Sequence, residues 1–403
     1  MHRFAKSFTQ QEAIPDTAID AAVAVMRSGR LHRYNLAEGE QGETALLEQE
    51  FAASLGVPYA MACASGGYAL QLALRACGLE AGDKVLCNAF TLSPVPGSIV
   101  AAGGEPVLVD ILDDTTVDPA DLARAADESG ARFFMLSHMR GHIGDMSAIM
   151  QVCDSRDITV IEDCAHTMGA SYDGKPSGTF GMVGCFSTQT YKHINSGEGG
   201  LLACSDDEVM RRAIILSGSY MLYDRHLAAP DAASFDVTRL MTPNMSGRMD
   251  NLRAAILRPQ LAEMQQRKIR WNSLYSCMES GLKALNDISL IERSPREYFV
   301  GSSIQFGLEG WEKGDISRFI AGCEARGLPV KWYGNPLPED YTSRYDSWAY
   351  LSDSRTLPNA DHVLSTLCDL RLPLTFEQSD CESIVMLIEA SLNDSRTLLS
   401  IES

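Results

Sequence analysis

Short, almost wholly apolar runs recur through the first half of the chain: KVLCNAF, EPVLVDI, RFFMLSH, ITVIEDC, GCFSTQT and GGLLACS. A run of this length without polar alternation predicts a strand buried on both faces. Helix-period segments lie between the runs, among them Tyr68–Cys77 and Met146–Ser155. Strands and helices in alternation predict an α/β fold, with a mostly parallel sheet covered by helices on both sides. Ligands of such sheets gather beyond the carboxyl ends of the strands. Asp110, His138 and Asp163 stand at those ends.

From about Arg253 the pattern changes. NLRAAILRPQLAEMQQRKIRWNSLYSCMESGLKAL predicts one long helix, and SIQFGL, GLPVKWY and SIVMLIEASL predict two strands and a helix of a smaller α+β domain. With 403 residues there is room for both units. The expected division is a large domain over 1–265, including the N-terminal segment, and a small domain over 266–403.

Charge and cysteine usage exclude several function classes. A net charge of −19 argues against a nucleic-acid or anionic-membrane surface, while leaving room for a small anionic substrate in a local basic pocket. The 11 cysteines form no C-x-x-C pair. Cys63, Cys87, Cys153, Cys164, Cys185 and Cys204 sit in or beside apolar runs, as buried free thiols of a reducing compartment do. MHRFAKSFTQQEAIPDT lacks an apolar signal core and no run approaches a membrane span, so a cytoplasmic location is expected. No metal site is expected.

Three motifs carry chemistry. In ASGGYALQLALRA, Ser65, Gly66 and Gly67 open a helix whose first amides and dipole favour an anion such as a phosphate. A glycine turn with a serine cap would read the same way. In VIEDCAHTMGA, Glu162 and Asp163 end an apolar strand and His166 follows three residues later. This is either a carboxylate for a cationic heterocycle or a helix cap beside a partly buried imidazole. In CFSTQTYKHINSGEGG, Ser187 precedes Lys192 by five residues, and glycines then permit sharp turns. Most lysines are surface charges, but one held desolvated beside cations becomes a nucleophile toward aldehydes. A phosphate cradle, a strand-end acid and a glycine-bounded lysine together are what pyridoxal phosphate (PLP) requires.

The sequence resembles the DegT/DnrJ/EryC1/StrS family of PLP-dependent sugar aminotransferases, of fold type I. The resemblance rests on SGGYAL, matching S-G-T-x-A-L, on PVLVDI, IEDCAH and GKPSGTFGMVGCFS, and on Lys192 followed by GEGG. It runs from SGRLHRYN to AAILRPQL and is weaker towards the C-terminus. It implies a Schiff base and proton shuttle at Lys192, with Asp163 on the pyridinium nitrogen and His166 near the cofactor's hydroxyl. Ser187 and the amides of Gly66 and Gly67, beside Ser65, would bind the phosphate. Phe90, or alternatively Leu92, would stack on the ring.

Two departures stand out. Gly67 replaces the family's threonine, and NMSGRMDNLRAA replaces N-Y-R-M, leaving Asn244 or Arg248 to reach the phosphate of a neighbouring subunit. The implied reaction transfers an amino group from glutamate or glutamine to a keto-sugar, a nucleotide-linked keto-sugar or a cyclitol ketone, in a homodimer with shared sites. His32, Arg33, Tyr34, Trp332 and Tyr333, from SGRLHRYN and PVKWYGNPLPEDY, are the expected acceptor contacts. The alternatives are the family's dehydratase branch, in which a histidine replaces the lysine (His193 is adjacent), and a non-catalytic sensor, which would be expected to lose Lys192 or Asp163. Cysteine desulfurase chemistry lacks a cysteine in a mobile Gly/Ser loop.

Overall fold

The computed structural model describes residues 3–337, 344–351 and 355–402; the end of PVKWYGNPLPEDY, from 338, lies outside them. In chain order the strands are β1 (Tyr59–Cys63), β2 (Lys84–Asn88), β3 (Glu105–Val109), β4 (Phe133–Ser137), β5 (Thr159–Asp163), β6 (Ser171–Tyr172), β7 (Lys175–Pro176), β8 (Val183–Ser187) and β9 (Gly200–Cys204). The chain continues through β10 (Ser289–Leu290), β11 (Glu297–Tyr298), β12 (Ser303–Gly307), β13 (Lys331–Trp332) and β14 (Leu367–Arg371).

The large sheet has the order β1-β9-β8-β5-β4-β2-β3. From β3 to β8 every pairing is parallel, and β9 runs antiparallel to both β8 and β1. All six apolar runs form strands of this sheet, and the mostly parallel expectation holds. Its edge strand β1, YAMAC, is made of small residues and was not legible as an apolar run. Strand alternation divides the core in two. Ala60, Ala62 and Val160 face helices Glu43–Leu55, Pro119–Ser129, Met146–Asp154 and Asn251–Ala262; Met61, Cys63 and Ile161 face Gly66–Ala76, Pro94–Ala102 and Asp207–Leu216. Phe51 meets Phe186 edge-on at 5.0 Å and pins the helix Glu43–Leu55 to β8. Burying one such ring stabilises the fold by roughly 1.5–3 kcal/mol.

The C-terminal sheet has the order β10-β12-β14-β13, antiparallel throughout, with helices Lys313–Ala325 and Gln378–Glu402 beside it. The expected strand GLPVKWY shrinks to Lys331–Trp332, and central β14, LCDLR, was missed because two charges interrupt it. The single long helix is two, Asn251–Ala262 and Met264–Lys283. Pro259, inside the first, deprives the preceding turn of an amide donor and weakens the helix just before the break. The first described residues dock on the C-terminal unit, while helix Asp16–Ser28 packs on Asn251–Ala262. Phe4 and Phe8 pack edge-on against or tilted around Phe376 and each other, and the Phe4 amide donates to the Arg326 carbonyl. A second link comes from β11, which pairs with β6.

Candidate active site

Neighbouring carboxylates at the end of β5 serve different purposes because they point to opposite faces. Glu162 is fully buried and accepts the amides of Gly178, Phe180 and Gly181 at 2.9, 2.7 and 2.7 Å, with His138 Nε2 at 3.1 Å. Its lone pairs are spent on the fold, and His138 with them. Asp110 is spent as well, accepting the amides of Asn359 and Ala360 in the first turn of helix Pro358–Thr366. Asp163 remains. Its Oδ2 accepts from the Ser137 hydroxyl at 3.0 Å and its Oδ1 from the Ala165 amide at 3.1 Å, which fixes the carboxylate without closing it off.

Lys192 Nζ lies 3.0 Å from His166 Nε2. Burial pushes the Lys192 amine down to about 8; the cations Arg140 and Arg371 add to that effect and Asp163 opposes it. Burial, then the Lys192 charge, holds the His166 imidazole well below its usual range. A neutral imidazole therefore accepts the bond that the ammonium donates. His193 turns the other way, edge-on to Trp271 at 5.2 Å. The glycines after Lys192 are required by contact. A Cβ on Gly199, whose φ is +157°, would meet Thr188 Oγ1 at 2.3 Å, and one on Gly200 would meet the Ser65 carbonyl at 2.3 Å. The lysine loop is thereby seated on the start of helix Gly66–Ala76.

That helix start is where the sequence places the phosphate cradle. The Ser65 hydroxyl caps it, accepting the Tyr68 amide at 3.1 Å, while the first-turn amides of Gly66 and Gly67 have no partner inside the helix. A Cβ on Gly66 would stand 2.8 Å from Ser187 Cβ, so only glycine lets Ser187 and the helix start meet. Lysine, carboxylate and free helix-start amides form a donor set of the kind that PLP needs.

The remaining expected contacts fare unevenly. Phe90 is 1% exposed and edge-on to Tyr333 at 4.9 Å, a core ring, whereas Leu92, the alternative stacking position, is half-buried. Arg33 is buried, with both amino groups on Glu48 at 2.8 Å, and the ion pair pulls Glu48 down to about 2 against its burial. The Tyr34 hydroxyl, also buried, bonds His226 Nε2 at 2.8 Å. Both therefore brace the interior and offer nothing to an acceptor. His32 is exposed, its ring 6.1 Å from that of Tyr220. Strand alternation separates Trp332, whose indole donates to the Ser365 carbonyl inside the C-terminal core, from Tyr333, whose hydroxyl accepts from Arg140 Nε at 2.9 Å. Asn244 is exposed. Arg248 donates to the Gly218 carbonyl at 2.7 Å and lies 4.7 Å over the Tyr220 ring, on a segment bridged to Cys63 beside the cradle. Sequence reasoning missed Arg140 and Arg371. The available signal was a charge where apolar residues dominate, in FFMLSHMRGH and LCDLRLPL.

A family model described as the DegT/DnrJ/EryC1/StrS aminotransferase family matches residues 14–389. The chain is similar to a putative L-glutamine:3-amino-2,3-dideoxy-scyllo-inosose aminotransferase of Micromonospora echinospora, 30% identical over 328 residues, covering 78% of this chain and 76% of the relative. It is 31% identical over 266 residues to a UDP-N-acetyl-3-dehydro-alpha-D-glucosamine 3-aminotransferase of Acidithiobacillus ferrooxidans, covering 64% and 68% of the two chains. The fold is shared with the PMP-form of a putative sugar aminotransferase of Streptococcus pneumoniae, at TM-score 0.81 and 20% identity, over 99% of this chain and 100% of that one. Among the described residues no helix is long and apolar enough to cross a membrane.

Proposed function

The chain belongs to the DegT/DnrJ/EryC1/StrS aminotransferase family, and from that premise we propose that it moves an amino group from glutamine or glutamate to the ketone of a cyclitol or a keto-sugar, with PLP as its cofactor. The observation that carries this reading is the depressed Lys192 amine, 3.0 Å from a neutral His166 and electrostatically coupled to Asp163. Bound PLP supplies the electron sink and the carrier for nitrogen. Asp163 would hold the proton on the ring nitrogen, and Ser187 with the Gly66 and Gly67 amides would hold the phosphate. Lys192, neutral for part of the time at physiological pH, takes a proton from one carbon and returns it to another. His166 accepts from Lys192 Nζ and keeps it aimed.

A dehydratase would need an imidazole where Lys192 stands, and His193 packs on Trp271 instead. The free thiols are compatible with a reducing cytoplasm. Tyr220, Met221, Val237, Leu240 and Met241 are 61–83% exposed, an apolar surface next to Arg248 that suits a second copy of the chain and sites shared across a two-fold axis. The test is transfer of label from α-¹⁵N-glutamine or α-¹⁵N-glutamate to a panel of keto-cyclitols and nucleotide-linked keto-sugars. Labelled amine is expected on at least one acceptor with wild type and on none with Lys192→Ala. No labelled product from any ketone would overturn the reading.

A further inference from the structure

Where the chain passes from the large sheet towards the C-terminal unit it lines a cavity of about 200 Å³. Asp114 and Thr116, after β3, form one wall, the turn 142–145 after β4 a second, and the segment 292–297 that leads into β11 a third. A water takes about 30 Å³, so the space holds roughly six or seven waters, or one hydroxylated six-membered ring.

The charges around this cavity do not cancel. Arg293 donates from Nη1 to the Gly141 carbonyl at 2.9 Å and to Glu297 Oε1 at 2.8 Å, and lies 4.2 Å over the Phe299 ring. Arg296 donates to Asp173 and stacks on Tyr172 at 4.6 Å. Both guanidiniums are thereby matched. The Asp114 carboxylate accepts only from the Thr116 amide and hydroxyl, both on Oδ1, at 2.9 and 2.6 Å. Among the described residues no cation comes within ion-pair distance of Asp114 or of Glu292. What the cavity lacks is a positive charge.

His142 adds a second demand. It is 5% exposed, and its Nε2 bonds Gln305 Oε1 at 2.7 Å. Gln305 presents its amide nitrogen to Asp369 Oδ1, 2.7 Å away, because a carboxylate only accepts. The Gln305 oxygen therefore faces the imidazole, and His142 donates from Nε2. Burial, then the charge of Arg293, holds this imidazole well below its usual range, so it is neutral and Nδ1 keeps a lone pair. Among the described residues nothing donates to Nδ1, and His142 lines the cavity. A buried acceptor of this kind is costly until a donor meets it.

The same groups reach the lysine. Asp369 Oδ2 pairs with Arg140 at 2.9 Å, and Arg140 is one of the cations that lower the Lys192 amine. The Arg140 backbone is left-handed, with φ +54°, a conformation that a non-glycine residue keeps only where its surroundings enforce it. Arg293 holds the carbonyl of the next residue, Gly141. A ligand on His142 thus bears on a strained turn that carries a cation beside the nucleophile.

We propose that this cavity binds a hydroxylated six-membered ring bearing a primary ammonium group, with the ammonium on Asp114 and Glu292 and a hydroxyl donating to His142 Nδ1. Such an amine is the class of product that the proposed transfer releases, so the cavity is a site of product feedback, separate from the one where transfer occurs. That identity rests on the aminotransferase reading; the preference for a cationic polyol rests on the cavity alone.

The test is calorimetry of the full-length, PLP-loaded protein with D-glucosamine, at a mildly acidic pH where its amine is charged, and with D-glucose, the same ring without the amine. Wild type is expected to bind glucosamine at least about tenfold more tightly than glucose. The double variant Asp114→Asn with Glu292→Gln should lose about tenfold, the scale of one charge-assisted contact. Ser294→Phe, which fills the cavity and leaves both carboxylates, should lose binding too. Matching melting curves verify the folds. Glucosamine that enters the active site does so equally in every variant and drops out of the comparison.

Turnover without added amine should stay within about twofold of wild type in these variants, because the altered side chains belong to the cavity and not to the lysine's surroundings. In wild type, glucosamine should slow transfer even at saturating ketone; in the variants the same slowing should need about tenfold more. Equal affinity for glucosamine and glucose, binding that the variants leave unchanged, or inhibition that saturating ketone removes overturns the proposal. Failure of the aminotransferase reading is distinct: no ketone would then be aminated, whereas the calorimetric preference needs no ketone.

Discussion

Replacing Gly66 by alanine should loosen the phosphate cradle, whereas threonine at the next position should tighten it. The two glycines are adjacent, yet their surroundings differ. A Cβ on Gly66 would lie 2.8 Å from Ser187 Cβ and 3.3 Å from Ser187 Cα, all backbone-tethered atoms. Carbon atoms rest about 3.5–4.0 Å apart, so the helix start and β8 must separate by about 0.7 Å or more. Overpacking of this kind costs about 1–3 kcal/mol. Expressed in cofactor binding, that is a loss of roughly 5- to 150-fold. A Cβ on Gly67 meets only Ser98 Oγ at 3.7 Å, an ordinary contact, and the backbone there is not left-handed. Threonine therefore fits, and its hydroxyl adds a donor toward the phosphate. One hydrogen bond to a charged group contributes about 1.5 kcal/mol, near tenfold in affinity. Titrating cofactor-free protein with PLP, read by tryptophan quenching, measures both variants against wild type, and melting curves separate affinity from folding. Affinity unchanged in Gly66→Ala, or lowered in Gly67→Thr at unchanged melting temperature, would refute the placement of the phosphate.

Asp163→Asn should slow amino transfer at least about 100-fold, some 2.7 kcal/mol of barrier, because an amide cannot hold the ring nitrogen's proton; near wild-type turnover would reduce Asp163 to a cap on the Ala165 amide. Capture of PLP by cofactor-free protein requires the neutral Lys192 amine, so its rate should rise with pH, reach half its maximum near pH 8 and level off above it. A half-maximum near 10.4, the ordinary lysine value, would show that the amine is solvated. Mixing Arg248→Ala with Lys192→Ala should regenerate activity that each lacks alone, if Arg248 reaches the partner's phosphate; absence of recovery despite verified subunit exchange would assign Arg248 to its own chain.

Much of the fold was readable because burial on both faces leaves an unambiguous mark. The six apolar runs of the large sheet could hardly be surface strands, and the helices between them followed from spacing. What escaped was set by tertiary context. The strand YAMAC buries small side chains between two helical layers, where size matters more than hydrophobicity. The N-terminal segment carries Phe4 and Phe8, whose partner Phe376 lies more than 360 residues away in sequence, a pairing that no local pattern encodes.

The site divides along the same line. Lys192, Asp163, Ser187 and the glycines stood out as candidates because each sits at a strand end or a turn where its residue type has few other uses. The strand pattern by itself could not say which of Glu162 and Asp163 faces the site; only the family resemblance singled out Asp163. Alternation decided it, giving Glu162 to four interior donors. Nor could it distinguish Arg33 from Arg371. One arginine lies in a segment that resembles the family's substrate region, yet its fork is closed on Glu48. The other lies in a strand that was not recognised, and its fork is open beside the lysine. A charge inside a chain is informative through its partners, which residue type and spacing do not reveal: Arg33 closed on Glu48 braces the interior, while Arg371 stacks on Tyr191.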